Sequence, residues 1–113
     1  MRLKSEIWVK AYIRSCLGSG AMAVVVRHGD NDAGAIYIRI NHLDGTSALY
    51  GPAPAGFSDG DSERRWSPCL ASAVAVDDAV EAYLERQARS DPDLWILEVE
   101  ARDGTHHLDD WLA

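Results

Sequence analysis

A chain of 113 residues is long enough for one domain, 1–113, that buries roughly two-thirds of the surface its unfolded form exposes, so no disulfide or metal staple is required. A formal net charge of −7 disfavours nucleic acid or an anionic membrane as the principal partner. Cys16 and Cys69 are the two cysteines and form no Cys-x-x-Cys pair, which argues against a disulfide framework or a zinc site and for thiols kept in a reducing compartment. The charge is unevenly placed: the chain through Trp66 carries eight Lys/Arg against seven Asp/Glu, and the rest carries three against eleven. The acidity belongs to the C-terminal part.

From Ser5 to Leu17 the residues Ile7, Trp8, Ala11, Tyr12 and Cys16 recur at helical spacing, and Glu6, Lys10 and Arg14 form a charged stripe, so the segment is predicted helical. Those three charges also interrupt any apolar run suited to a signal peptide. No later segment approaches the roughly 20 apolar residues that span a bilayer. The expectation is a cytoplasmic protein with no membrane partner.

The stretch Met22 to Tyr50 alternates, with Val24, Val26, Ile36, Ile38 and Ile40 on one parity, as a half-buried antiparallel meander requires. Asp44-Gly45 suits a two-residue type I′ turn, which pairs Leu43 with Thr46, Ile40 with Leu49 and Arg39 with Tyr50. Val25, Tyr37 and Tyr50 then share the outer face, apolar enough to be covered by a helix or a second copy. The Gly29–Gly34 turn resembles a calcium loop only superficially: Gly34 and Asn41 stand where ligands would be needed. A polar hairpin turn is the simpler reading.

Gly51 to Asp61 lacks periodicity, and the absence of a lysine after its second glycine excludes a P-loop. Phe57 to Ser62 is expected to be mobile. Glu63–Ser67 reads as a fourth strand that Pro68 keeps at an edge. Asp78 to Arg89 is predicted helical, with Asp78 and Glu81 as a capping box and Pro92 as the stop. Leu94–Ala101 reads as a strand whose first half is central. Asp103-Gly104 should close a further hairpin that sets Glu100 opposite His107. The fold class is thus α+β, a mainly antiparallel sheet of four to six strands with two main helices, in the order α-β-β-β-β-α-β-β. A crossing through the second helix could make one strand pair parallel.

Glu100 with His107 is the most acid/base-like arrangement, since a carboxylate can orient an imidazole and raise its pKa. No nucleophile accompanies the pair, and a simple cross-strand contact accounts for it. Arg64, Arg65, Trp66 and Trp111 are candidate binding residues. Guanidinium groups recognise carboxylates and phosphates, and tryptophan is a frequent interface anchor. Adjacent arginines on a strand diverge, so edge protection by charge is the plainer account. His106, His107, Asp109 and Asp110 do not converge as metal ligands if they lie on a strand, so no metal and no cofactor is expected.

Ser5-Glu6-Ile7-Trp8-Val9-Lys10, Leu43-Asp44-Gly45, Gly51-Pro52-Ala53, Arg65-Trp66, Asp91-Pro92-Asp93-Leu94-Trp95 and Leu108-Asp109-Asp110-Trp111 resemble a bacterial domain-of-unknown-function family, number 1491, of similar length. The resemblance implies a shared fold and transfers no activity, ligand or catalytic residue. The residues themselves favour an interaction or regulatory module with a protein partner, whether another chain or a second copy. If one helix covers each face, the chain can instead remain monomeric. The alternative is a small enzyme or an anion- or metal-binding domain using Glu100, His107 and Arg65 beneath the Gly51–Asp61 loop.

Overall fold

The computed structural model describes residues 3–54 and 64–112. Phe57 to Ser62 and the start of the expected fourth strand at Glu63 lie outside the described residues. Helix α1 spans Ser5–Gly18, and strands β1 Met22–Arg27, β2 Ile36–Asn41, β3 Thr46–Pro52, β4 Trp66–Pro68 and β5 Ala75–Val76 follow. Helix α2, Asp77–Ser90, leads into β6, Trp95–Glu100, and the chain closes with a 3-10 turn at Asp109–Trp111. The α+β class and the order of elements are those the residue patterns predict.

The topology departs from a meander at one point. Strand β6 inserts between β1 and β2, so the order across the sheet is β1-β6-β2-β3-β4, with β5 also on β3. β1 pairs with β6 antiparallel, and β2 pairs with β6 in parallel. The reason lies in β6 itself: Trp95, Leu97 and Val99 are buried on one face, which suits a central strand better than the mixed valines of β1. The 29–34 turn therefore does not close a hairpin. It wraps the start of β6 instead, with Asp30 N–H donating to Asp93 O at 2.8 Å and the Trp95 indole donating to Asp30 O at 2.8 Å. A Cβ on Gly29 or Gly34 would lie 2.2 or 2.4 Å from Asp93 O. Both positions need glycine for close approach rather than for a turn.

The hairpin register is one residue away from the predicted one. Ile38 pairs with Tyr50, Arg39 with Leu49 and Ile40 with Ala48, because the loop has three residues rather than two, with Leu43 at φ 62° and Gly45 at φ 88°. Asn41 Oδ1 accepts from Leu43 N at 2.8 Å, and Asp44 Oδ1 accepts from Thr46 N at 3.0 Å. These side-chain acceptors stabilise the longer turn. A slip of one residue exchanges faces, so Arg39 and Leu49 lie together under α2 while Tyr50 lies on the α1 side.

One helix covers each face. On the α1 side, Trp8, Tyr12 and Cys16 meet Ile36, Ile38, Ile40, Leu97 and Val99, and Leu108 of the C-terminal segment joins the same core. On the α2 side, Val80 and Leu84 meet Leu49, with Tyr37, Tyr83 and Ile96 around them. Val25, Tyr37 and Tyr50 thus do not share an outer face. Val24 and Val26, expected in the core, are exposed, and Ala23 is the buried residue of β1. The sheet separates the two free thiols: Cys16 belongs to the α1 core and Cys69 to the α2 side.

Candidate functional site

The predicted binding residues Arg64, Arg65, Trp66 and Trp111 lie close together, yet most of their chemistry is turned inward. Trp66 is buried, stacks on Trp8 at 4.2 Å and donates its indole N–H to Ile36 O at 3.0 Å. Trp111 meets the edge of Trp8 at 5.5 Å. Arg64 is buried, and its Nη2 donates to Leu3 O and to Ser5 Oγ. Arg65 Nη1 donates to Asp110 O at 3.0 Å. These contacts fasten β4 to the N-terminus and the C-terminal segment.

Glu100 and His107 are not a cross-strand pair. Glu100 pairs with Met22 on one side and Asn41 on the other; after it the chain turns at Gly104, φ 79°, and His107 adopts φ 59°. The reason is that both edges of β6 are already occupied, so no returning strand can add to it. The two side chains nonetheless line one open hollow of about 380 Å³ with Gly20, Arg102, Asp103 and Thr105. Arg65 is not part of it; it lines a separate hollow of about 170 Å³ beside Arg64 and Pro52. The Asp103 carboxyl is held below the usual range by hydrogen bonds from the Thr105 backbone and hydroxyl. His106 faces inward, its ring against Tyr50 and its carbonyl accepting from the Tyr12 hydroxyl at 2.6 Å.

The more developed site is one that sequence reasoning missed. α2 packs over β3 and β5 and leaves β1 uncovered on that face. Between them runs a trough of about 410 Å³ lined by Val26, Arg27, Leu84, Ala88 and Ile96, with Glu81, Glu85 and Glu98 among its polar groups. At its inner end Arg39, buried to all but 8%, organises the carboxylates. Its Nη2 lies 3.0 Å from Asp77 Oδ1, and its Nη1 lies 3.4 Å from Glu81 Oε1 and 3.7 Å from Glu98 Oε1. Nε donates to Ser47 Oγ at 3.0 Å, and Ser47 donates onward to Asp77 at 2.7 Å. The Ser47 hydroxyl, and then Arg39, hold the Asp77 carboxyl below the usual range.

The expected capping box does not form for the same reason. α2 begins at Asp77 without a side-chain cap, because Asp77 and Glu81 are drawn to Arg39. A buried Arg within Ile38-Arg39-Ile40 was the available sign; the two-residue turn kept it on the Tyr37 face but set Tyr50 rather than Leu49 opposite it. Glu98, Arg39 and the exposed Val26 become one site only once β6 is central.

In the cluster around Leu49, Val80 and Leu84 beneath α2, burial pushes the Cys69 thiol up to about 11 and the Tyr83 hydroxyl up to about 12. Cys69 is therefore a thiol, not a nucleophilic thiolate, at neutral pH. Gly51 is fixed by this neighbourhood, since a Cβ there would lie 2.6 Å from Cys69 Sγ and 2.8 Å from the Tyr37 ring.

A single mixed sheet with one helix on each face, and a side trough where one helix stops short, defines a small α+β domain of the helix-sheet-helix kind. The chain belongs to the family described as protein of unknown function (DUF1491), whose model matches residues 3–109. It is similar to the crystal structure of a DUF1491 family protein from Caulobacter crescentus CB15, at 37% identity and a TM-score of 0.81, over 100% of this chain and 99% of that one. A solution structure of protein Atu0922 from A. tumefaciens is 43% identical with a TM-score of 0.75, over 89% and 87% of the two chains. An NMR structure of a DUF1491 family protein from Caulobacter crescentus CB15 is 41% identical, with a TM-score of 0.76 over 95% and 93%. None of the curated proteins matches the chain.

Proposed function

We propose that the protein is a small cytoplasmic interaction or regulatory module that docks a protein partner in the trough between α2 and β1. The observation that carries this reading is the incomplete cover of the α2 face: Val26 is exposed beside Leu84 and Ile96, where a packed domain would place another element. Glu85 lies on the rim, and Glu81 and Glu98 outnumber the one cation they share, Arg39. The surface suits a partner segment with apolar residues among Lys or Arg, and it disfavours nucleic acid. No helix among the described residues is long and apolar enough to cross a membrane. A pull-down from native lysate tests the docking reading. A partner retained by the native chain and lost on Ala88→Arg, which fills the trough, supports it; no stoichiometric partner, or one held equally by the variant, refutes it.

A second reading rests on the hollow that Glu100 and His107 share, where a small ligand could meet a carboxylate, an imidazole and Arg102. His107 holds a left-handed backbone conformation there, which costs energy for a non-glycine residue and sometimes marks a functional site. Titration with inorganic phosphate while following the His107 ring signals by NMR tests it. An unmoved ring at millimolar phosphate counts against an anion site.

A further inference from the structure

We infer that β1 is the docking edge itself: an extended segment of a different protein adds to it as a seventh strand, with Lys or Arg directed to the α2 face. This rests on the docking reading above and specifies its mode and partner chemistry.

Three observations lead there. First, among the described residues β1 pairs with β6 alone, so its other edge presents backbone donors and acceptors with no ladder partner. Second, the edge lacks the usual protection. Met22–Val26 contains no charge and no proline, and Met22, Val24, Val25 and Val26 are 56, 48, 41 and 59% exposed. One irregularity between Val25 and Arg27 limits regular pairing to the preceding residues. Alternate side chains of an added strand would therefore meet Val24 on one face and Val25 on the other.

Third, the faces flanking this edge differ in charge, and that chooses the occupant. On the α2 face Glu98 and Glu100 sit opposite Val24 and Met22. On the other face α1 packs nearest β1, and Lys10, Ile13, Arg14 and Leu17 line a shallow hollow on that helix. Two copies paired edge to edge about a two-fold axis normal to the sheet would place like faces together, and Met22–Val26 of the second copy would bring no cation to Glu98 or Glu100. A foreign strand whose long cations lie across Val24 toward Glu98 and Glu100 meets no such conflict. Its alternate apolar residues would lie beside Val25. Main-chain hydrogen bonds then supply affinity and the alternating side chains supply specificity.

The test uses the full chain with three capped eight-residue peptides: alternating Lys-Val, alternating Glu-Val, and the Lys-Val peptide N-methylated at every residue. Binding is read by fluorescence anisotropy and by amide signals of Met22–Val26. The Lys-Val peptide should bind, both controls should bind at least about tenfold more weakly, as loss of several hydrogen bonds or reversal of charge demands, and Val24→Lys should abolish binding without loss of the folded spectrum. No binding of the Lys-Val peptide overturns the inference. Equal binding of the N-methylated peptide, abolished by Ala88→Arg, overturns strand addition and leaves trough docking standing. Sedimentation equilibrium of the free chain adds one more outcome: a dimer split by Val24→Lys makes a second copy the occupant and overturns the assignment to a foreign chain.

Discussion

The two edges of the sheet are built from opposite materials. At the β4 edge, Pro68 ends the strand, Trp66 is buried against Trp8, Leu112 bridges to Trp66, and Arg65 ties the C-terminal segment through Asp110 O. At the β1 edge, valines face solvent on both sides and nothing described lies beyond them. The residues that look like recognition chemistry in the sequence, two arginines and a tryptophan, make contacts that tie this edge to the N-terminus, to Trp8 and to the C-terminal segment. The residues that look like core, Val24 and Val26, are the exposed surface. A chain can thus close one edge with aromatic and cationic side chains while a plain aliphatic strand leaves the other open.

The largest effect should come from breaking the closed edge. Trp66→Ala removes the stack on Trp8 and leaves the Ile36 carbonyl without its indole donor; a loss of about 3–5 kcal/mol in urea denaturation is expected. Within the central cluster, Arg39→Met leaves Asp77, Glu81 and Glu98 without their shared cation. Hydrogen bonds to charged groups set the scale at about 2 kcal/mol, read by the same denaturation.

Gly51→Ala places a methyl against Cys69 and Tyr37 and should cost about 1–3 kcal/mol by overpacking. Val24→Lys, at the open edge, should change stability by no more than about 0.5 kcal/mol. If Val24→Lys destabilised as much as Trp66→Ala, the contrast between the edges would collapse.

Acid titration sharpens the same contrast without touching either edge. The Asp77 carboxyl is lowered in the folded state, first by the Ser47 hydroxyl and then by Arg39. The unfolded chain therefore binds the proton more readily, so this stabilisation is complete above the ordinary carboxylate range and is lost as pH falls through the folded value. Stability measured against pH should decline less steeply on the acid side in Asp77→Asn. An unchanged acid limb would mean that Asp77 does not carry the dependence.

Much of the fold was legible because local rules governed it. Helix α1 followed from the spacing of Trp8, Tyr12 and Cys16, and α2 stopped before Pro92 as proline sterics require. Pro68 marked the β4 edge, and the apolar run at Trp95 marked a central strand. What remained hidden was non-local. Nothing in β1 or β2 states that β6 will come between them, and the alternation of Val24 and Val26 fits a core strand and an exposed edge equally.

The hairpin failed for a narrower reason. Asp44-Gly45 suits a two-residue turn, but Asn41 and Asp44 stabilise a three-residue loop. That single slip exchanged the faces of Leu49 and Tyr50, so Arg39 was set against Tyr50 rather than against Leu49 beneath α2. Glu100 and His107 were brought near one another, though by a turn at Gly104 rather than a ladder.

Residue-resolved amide hydrogen exchange, with and without the Lys-Val peptide, tests the central claim most directly, because it reads the backbone of both edges in one sample. Alternate amides of Met22–Val26 should exchange fast in the free chain and become protected on binding, while Trp66 and Ser67 keep their exchange rates. Strong protection of every β1 amide in the monomeric free chain, or peptide-induced protection confined to β4, would contradict an open docking edge at β1.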